Sequence, residues 1–235
     1  MIEVHDLNAG YKRLHVLFDI DMRFEKSRIN VIVGPNGSGK STLLKSIFGL
    51  TTIYSGSIRF KGVELVGKMP HEVARNGIAY LPQVDNVFSD LTVAENMLMA
   101  GYTLRKEDIQ KRIEEVLEIF PIIKAYWRRR AGTLSGGERQ MLAMAMALLR
   151  KPEVMMLDEP TGSLAPKIAR EVLEKIIELR DSFKITIILV EQSARRALEI
   201  GDKAYLMVGG RLIFEGGCRE LLEHPELAKL YLGAT

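Results

Sequence analysis

The spacing of hydrophobic residues changes several times along this chain, and each change marks a different kind of element. Ile2 to Leu7 and Leu17 to Phe24 alternate apolar with polar residues, the period of strands buried on one face. They are predicted to be antiparallel strands joined by a turn-rich link over Asn8 to Arg13. Ile29 to Val33 is short, β-branched and apolar apart from Asn30, the pattern of a strand buried on both faces. It runs into a glycine-rich stretch and then a helical pattern from about Ser41. Further buried strands are predicted at Ile78 to Leu81, Val154 to Leu157 and Ile185 to Val190, with a helix from about Pro166 to Ser182 between the last two. Strands that alternate with helices imply a mainly parallel sheet.

Between Gln83 and Met141 the period becomes helical. Thr92-Val-Ala-Glu95 is a capping box, and Lys106 to Phe120 is a charged amphipathic segment stopped by Pro121. The predicted organisation is one domain. Residues 84–149 form a helical subdomain inserted into an α/β core made of 1–83 and 150–235. Late in the chain, strands near Lys203 to Val208 and Arg211 to Phe214 flank a hairpin turn at Gly209-Gly210, before a short terminal helix.

Composition narrows the setting. With 235 residues, 47% of them hydrophobic, the chain can fill a core without staples. A charge of +3, the difference between 33 basic and 30 acidic residues, argues against nucleic acid as a partner. The single cysteine, Cys218, allows no internal disulfide, and MIEVHD lacks the pattern of a secretory signal, so the cytoplasm is the expected compartment. The longest apolar runs, Met141 to Leu149 and Ile185 to Val190, fall short of the roughly 20 residues that cross a bilayer, so a membrane role must come through a partner.

The chemistry begins at Gly34-Pro35-Asn36-Gly37-Ser38-Gly39-Lys40-Ser41-Thr42. Backbone N–H groups line a triphosphate only where side chains do not intervene, so the glycines sit where the chain wraps round phosphate oxygens. Lys40 supplies a charge to the β- and γ-phosphates, Ser41 a hydroxyl to Mg²⁺, and the following helix its positive end. Strand, loop and helix in that order are the context this motif needs. The predicted fold is therefore α/β, a P-loop NTPase with a mainly parallel core sheet, an N-terminal antiparallel β subdomain and the inserted α-helical subdomain.

Asp158 and Glu159 close an apolar strand, which puts two carboxylates at the carboxyl edge of the sheet, where such sheets bind ligands. Asp158 is assigned to the magnesium shell, and Glu159 to orienting or deprotonating the attacking water. Gln83 follows a strand and a proline, and its amide suits both metal and water; taken alone it is more often a surface glutamine. Tyr11 has a ring face that suits stacking on adenine, although a tyrosine near a strand end is more often packing. Ser135-Gly136-Gly137-Glu138 is a second capping box, whose glycines leave a bare helix start suited to an anion. Since the chain already has one phosphate loop, this second site points to a second nucleotide or to the nucleotide of another subunit. The plainer alternative is a well-capped helix.

In order and spacing, the phosphate loop, Gln83, LSGGERQ at Leu134 to Gln140 and the Asp158-Glu159 pair resemble the ATPase subunit of ATP-binding cassette transporters, over essentially the whole chain. The resemblance implies a head-to-tail homodimer or heterodimer in which Ser135 and Gly137 of one subunit close over ATP held by Lys40 of the other. A narrower likeness lies in AGTLSGGERQMLAMAMALL, in Ser163 to Pro166, in LVEQSARRAL from Leu189 and in the tail EHPELAKLYLG. These resemble the ATPase subunits of importers for branched-chain or other hydrophobic amino acids. That implies transmembrane permease partners, an external substrate-binding protein, and a peripheral place on the inner face of the membrane. Four features depart from family patterns. Gln192 replaces a usual histidine, as that importer branch commonly shows, and Gln83 replaces the branch's frequent glutamate. Thr161-Gly162-Ser163-Leu164 replaces Ser-Leu-Gly-Leu, and Ala165 replaces an aspartate. Gln192 can hydrogen-bond a γ-phosphate but carries no proton at neutral pH.

A non-transport cassette is the competing class. The span between Lys40 and Asp158 is too short for the coiled coil of chromosome-type members, and translation-type members carry two cassettes in one chain. Arg128, Arg129 and Arg130 read as a solvated edge, with lipid or partner contact as the alternative. Val87, Phe88 and Leu91 read equally as core or as a groove for a permease helix. Trp127 and the four histidines show no metal-ligand spacing.

Overall fold

The computed structural model describes residues 1–84 and 86–227, apart from the side chain of Lys106. Its centre is a six-stranded sheet built from β3 (Ile29–Val33), β6 (Ile78–Leu81), β7 (Val154–Asp158), β8 (Thr186–Val190), β9 (Lys203–Val208) and β10 (Arg211–Gly217). The spatial order is β10-β9-β3-β8-β7-β6, all parallel except β10. A second, antiparallel sheet of order β2-β1-β4-β5 uses β1 (Ile2–Tyr11), β2 (Leu14–Arg23), β4 (Thr52–Phe60) and β5 (Val63–Glu64). Both predicted kinds of sheet are present.

The central strands are apolar throughout because each face meets a separate core. Val31, Met155, Leu157, Ile187 and Leu189 point into a core shared with the helices α3 (Val93–Ala100), α4 (Lys106–Ile119), α6 (Gly136–Leu148) and α7 (Pro166–Phe183). Ile32, Val154, Met156, Ile188 and Val190 point the other way, against α1 (Lys40–Ile47) and the antiparallel sheet. Alternation along each strand thus serves two apolar layers, as a buried parallel strand requires. Asn30, the polar exception, is fully buried: it accepts from Glu25 N at 2.8 Å and donates to Glu25 O at 2.9 Å and Ile187 O at 3.2 Å.

Three expectations need correction. Asn8 to Arg13 is not a long link, because β1 and β2 continue to a two-residue turn at Lys12-Arg13, with Tyr11 paired to Leu14. Bulges break the alternation there: Asp6 and Asp19 are left-handed at φ 47° and 49°, and Asn8 Nδ2 bridges to Asp6 O and Asp19 Oδ1. Pro121 ends α4 but also begins α5 (Pro121–Ala125), where its missing N–H costs nothing. β4, β5 and α2 (Pro70–Arg75) lie in a stretch for which the sequence predicts no element. Two further helices are α8 (Ala194–Ile200) and α9 (Cys218–Glu223). Most of the EHPELAKLYLG tail lies outside the described residues.

Register sets the site. Leu81 pairs with Leu157, Asp158 with Val190 and Ile32 with Val190, so the carboxyl ends of β6, β7, β8 and β3 finish at one level. Gln83, Asp158-Glu159, Gln192 and the glycine loop all leave the sheet along that edge.

Candidate active site

The loop between β3 and α1 can be built only with glycine at its tightest points. Gly34 has φ 147°, and a Cβ there would stand 2.0 Å from Met207 O; Gly39, at φ 96°, would place one 2.7 Å from Leu17 Cδ2. Gly210 N–H donates to Ser38 O at 3.1 Å, so the hairpin between β9 and β10 props the loop from behind. Pro35, Asn36 and Gly37 are exposed, whereas Ser38, Lys40 and Thr42 are buried. Lys40 Nζ donates to Gly34 O at 2.8 Å and Pro35 O at 3.0 Å. Burial holds its pKa below the usual lysine range, against the opposing pull of Glu159 and Asp158. Ser38 Oγ is buried and has no hydrogen-bond partner among the described residues.

Across from the loop, Asp158 is 4% exposed and accepts from Ser41 Oγ at 2.8 Å and from Tyr80 OH at 3.1 Å. Burial and the neighbouring Asp158 carboxylate push the Tyr80 phenol well above its ordinary range, so it stays a donor. Glu159 leaves β7 in the left-handed region at φ 48°, its N–H donating to Val190 O at 2.9 Å. Its Oε2 accepts from Gln83 Nε2 at 2.9 Å. Four predicted residues are therefore joined in two pairs, Ser41 with Asp158 and Gln83 with Glu159.

Gln192 is exposed just beyond β8, on the same edge, and its side chain makes no hydrogen bond among the described residues. Tyr11 is 39% exposed at the end of β1, and its hydroxyl likewise has no hydrogen bond among the described residues. Beside it His15 stacks against Phe18 (4.2 Å between centroids) and meets the edge of Tyr54 (4.9 Å).

Ser135 caps α6 as its box predicts: Oγ accepts from Glu138 N at 3.3 Å, and Ser135 N–H donates to Glu138 Oε2 at 2.7 Å. The helix start is less bare than the glycines suggest. A Cβ on Gly137 would stand 2.2 Å from Ile168 Cγ2, and one on Gly136 2.8 Å from Leu164 Cδ2, so both missing side chains are needed for packing inside the subunit. Ser135 remains exposed. With Gly136, Gly137, Gln83, Glu159 and Ala165 it lines a cleft of about 700 Å³. Ala165 is the N-cap residue of α7 and offers its helix no side-chain hydrogen bond.

Arg128, Arg129 and Arg130 are exposed, and Arg129 lies over the Tyr126 ring and donates to Thr133 O. Val87 packs against the core, whereas Phe88 is 52% exposed.

Residues 17–162 match the family model for ABC transporters. The chain belongs to the ABC transporter family. It is 56% identical over 233 residues, covering 99% of each chain, to the probable branched-chain amino acid transport ATP-binding protein LivF of Archaeoglobus fulgidus. It is 41% identical over 233 residues, 99% of this chain and 100% of the relative, to the high-affinity branched-chain amino acid transport ATP-binding protein BraG of Pseudomonas aeruginosa. A solved ATP-binding cassette of an ABC transporter, in its ADP conformation, superposes with a TM-score of 0.86 at 26% identity, covering 100% of this chain and 99% of that one. The protein is thus an ABC ATPase with the α/β fold of a P-loop NTPase.

Two parts of this ABC site are not evident from the sequence alone. Tyr80 reaches Asp158 from the neighbouring strand, and Glu191, 2% exposed, accepts from Thr161 N and Thr161 Oγ1 at 2.9 and 2.8 Å. The only signal for either is a polar atom at the end of an apolar strand, in Ile78 to Leu81 and Thr186 to Val190.

Proposed function

We propose that this chain is the ATP-binding, ATP-hydrolysing subunit of an importer for branched-chain or other hydrophobic amino acids. The observation that carries the reading is the meeting of the pairs Ser41–Asp158 and Gln83–Glu159 on one sheet edge beside Lys40. The substrate class follows from the two relatives named for branched-chain amino acid transport.

The loop suits a triphosphate. Ser38 Oγ is a buried group with nothing to bond among the described residues, and Lys40, desolvated, rests on two carbonyl oxygens that phosphate oxygens can replace. In this reading Gly34, Pro35, Asn36, Gly37, Ser38, Gly39, Lys40, Ser41 and Thr42 hold the phosphates, and Tyr11 offers its exposed ring to adenine. Ser41, Asp158 and Gln83 present oxygen atoms, the donor set that suits Mg²⁺. Held by these residues, Mg²⁺ would supply positive charge to the phosphates.

Glu159 is the group placed to take a proton from water as that water attacks the γ-phosphorus. Its carboxylate is held by the Gln83 amide in this structure, so hydrolysis requires that bond to open. Gln192, just beyond the next strand, β8, hydrogen-bonds the γ-phosphate without carrying a proton.

Ser135 is exposed and lines a cleft with Glu159 and Gln83, but not with Lys40 of its own chain, which supports a partner subunit whose ATP it completes. The dimer is head to tail, with this chain or a related ATPase. Residues 84–149 form the helical subdomain that carries Ser135, Gly136 and Gly137, and 1–83 with 150–235 form the ATP-binding core. Transmembrane permease subunits dock on the apolar cleft lined by Phe48, Tyr80, Met99, Tyr102 and Met146. No helix among the described residues is long and apolar enough to cross a membrane, so the chain works at the inner face through those subunits, fed by a substrate-binding protein.

The test is uptake of labelled leucine into proteoliposomes containing this chain with its permeases and binding protein. ATP-dependent accumulation supports the reading; ATP hydrolysis unaffected by leucine-loaded binding protein, with no uptake, overturns the assignment to amino acid import.

A further inference from the structure

The segment from Glu159 to Ser163 begins and ends on backbone that ordinary residues avoid. Glu159 and Ser163 both lie in the left-handed region, at φ 48° and 63°. Neither is glycine, and such conformations persist only where the surroundings determine them from several sides. On one side, Glu159 N–H is held by Val190 O at 2.9 Å. Two residues later, Thr161 is held through both of its donors, N–H and Oγ1–H, by a single atom, Glu191 Oε1. Both anchors come from the carboxyl end of β8.

Glu191 is an expensive choice for a merely structural tether. It is 2% exposed, and a buried carboxylate loses its hydration, a cost that only hydrogen bonds or a counter-charge offset. Burial pushes its carboxyl above the ordinary glutamate range, with the Thr161 donors pulling the other way and nearby Glu159 adding to the rise. Glu191 N–H in turn faces Ile32 O at 3.4 Å, which links this end of β8 to the strand that launches the phosphate loop. The next residue, Gln192, is exposed. One short stretch therefore holds the carboxylate segment through buried Glu191 and carries the exposed Gln192 beside it.

We infer that Glu191 is a positioning residue for hydrolysis: by gripping Thr161 it fixes the left-handed backbone at Glu159 and so aims that carboxylate at the attacking water. The inference rests on the reading of Glu159 as the base. Glu191 itself touches neither nucleotide nor metal. Its effect should fall on kcat, because the phosphate loop and Lys40 are untouched, and small misplacements of a catalytic group cost about a hundredfold in rate.

The experiment is steady-state ATPase kinetics on the purified full chain, with binding of a fluorescent non-hydrolysable ATP analogue and thermal melting measured on each variant. Glu191→Ala removes the acceptor and should lower kcat by about 10- to 100-fold while the KM for ATP and analogue affinity stay within about twofold. Glu191→Gln keeps Oε1 as an acceptor and should recover kcat to within about threefold of the parent. If Glu191→Ala fails to fold, Thr161→Val and Thr161→Ser provide the same contrast, since valine loses the hydroxyl that serine keeps; only valine should lower kcat. Glu159→Gln is run alongside. An inactive Glu159→Gln with a fully active Glu191→Ala overturns the positioning role and leaves the base assignment standing. A fully active Glu159→Gln overturns the base assignment and the inference with it. Equal losses for Glu191→Ala and Glu191→Gln, or for both threonine variants, also overturn the inference, because they separate the loss from hydrogen-bond acceptance.

Discussion

The Gln83 amide nitrogen stands 2.9 Å from Glu159 Oε2, so the proposed base is occupied by the residue proposed to place its water. Gln83 lies beyond β6 and Glu159 beyond β7, and the two meet because Leu81 and Leu157 are in register. The bond joins an exposed residue to a half-buried one and is thus open to exchange with solvent or ligand.

Gln83→Ala should therefore act in two directions. The base is freed in the resting protein, but water and metal lose a ligand in the working one. The second effect belongs to the transition state and should dominate, lowering kcat by about tenfold or more, equivalent to roughly 1.4 kcal/mol. Phosphate-release kinetics read it. An unchanged kcat would leave Gln83 a surface side chain.

Gly137 separates two explanations of the signature glycines. Gly137→Ala drives a methyl group to 2.2 Å from Ile168 Cγ2, an overpacking that should cost about 1–3 kcal/mol in urea unfolding. Adding Ile168→Ala should restore that stability. ATPase activity should stay low in the double variant if the glycine also faces the partner's nucleotide. Full recovery of activity with the fold would mean that Gly137 serves packing alone.

Stability against acid should depend on Asp202, which ties the start of the central sheet to α7. Burial raises its pKa, but Ile29 N–H at 2.8 Å, Arg28 at 3.1 Å and Arg180 at 2.9 Å outweigh that and hold it below the usual aspartate range. A depressed folded pKa means stability that is present above the unfolded value, about 4, and is lost as pH falls through the folded one. Asp202→Asn should cost about 1–3 kcal/mol at pH 7, and the gap to the parent should narrow as pH falls below the unfolded value, about 4, and through the depressed folded one. Urea titrations at pH 7 and at successively lower pH measure it, and a gap independent of pH would show that charge is not what Asp202 contributes.

The parts of the fold legible in the sequence are those whose pattern has one physical cause. β3, β7 and β8 are apolar on both faces because helices and a second sheet cover them, and the ends of α3 and α6 are written in their capping boxes. Thr52 to Phe60 is illegible for the opposite reason. It lies half-exposed, and Gly56, at φ 92°, bulges where a Cβ would stand 2.4 Å from Asp6 O, so no alternation survives to be read. Within the site, motif residues such as Lys40, Asp158 and Glu159 declare themselves by type and spacing. Tyr80 and Glu191 do not, because their roles depend on which strand lies beside which. The signature glycines were legible as a motif but not in their cause: packing against Leu164 and Ile168 shows only once α7 is in place.

Two such chains are expected to close over ATP, with Glu159 then supporting its hydrolysis. Sedimentation of Glu159→Gln with Mg²⁺ and ATP, alone or mixed with the related ATPase of the same importer, tests this. A stable dimer that retains ATP is expected for the variant, and dissociation of the parent protein as it turns ATP over. A variant that binds ATP yet neither pairs nor loses its phosphate release would contradict it.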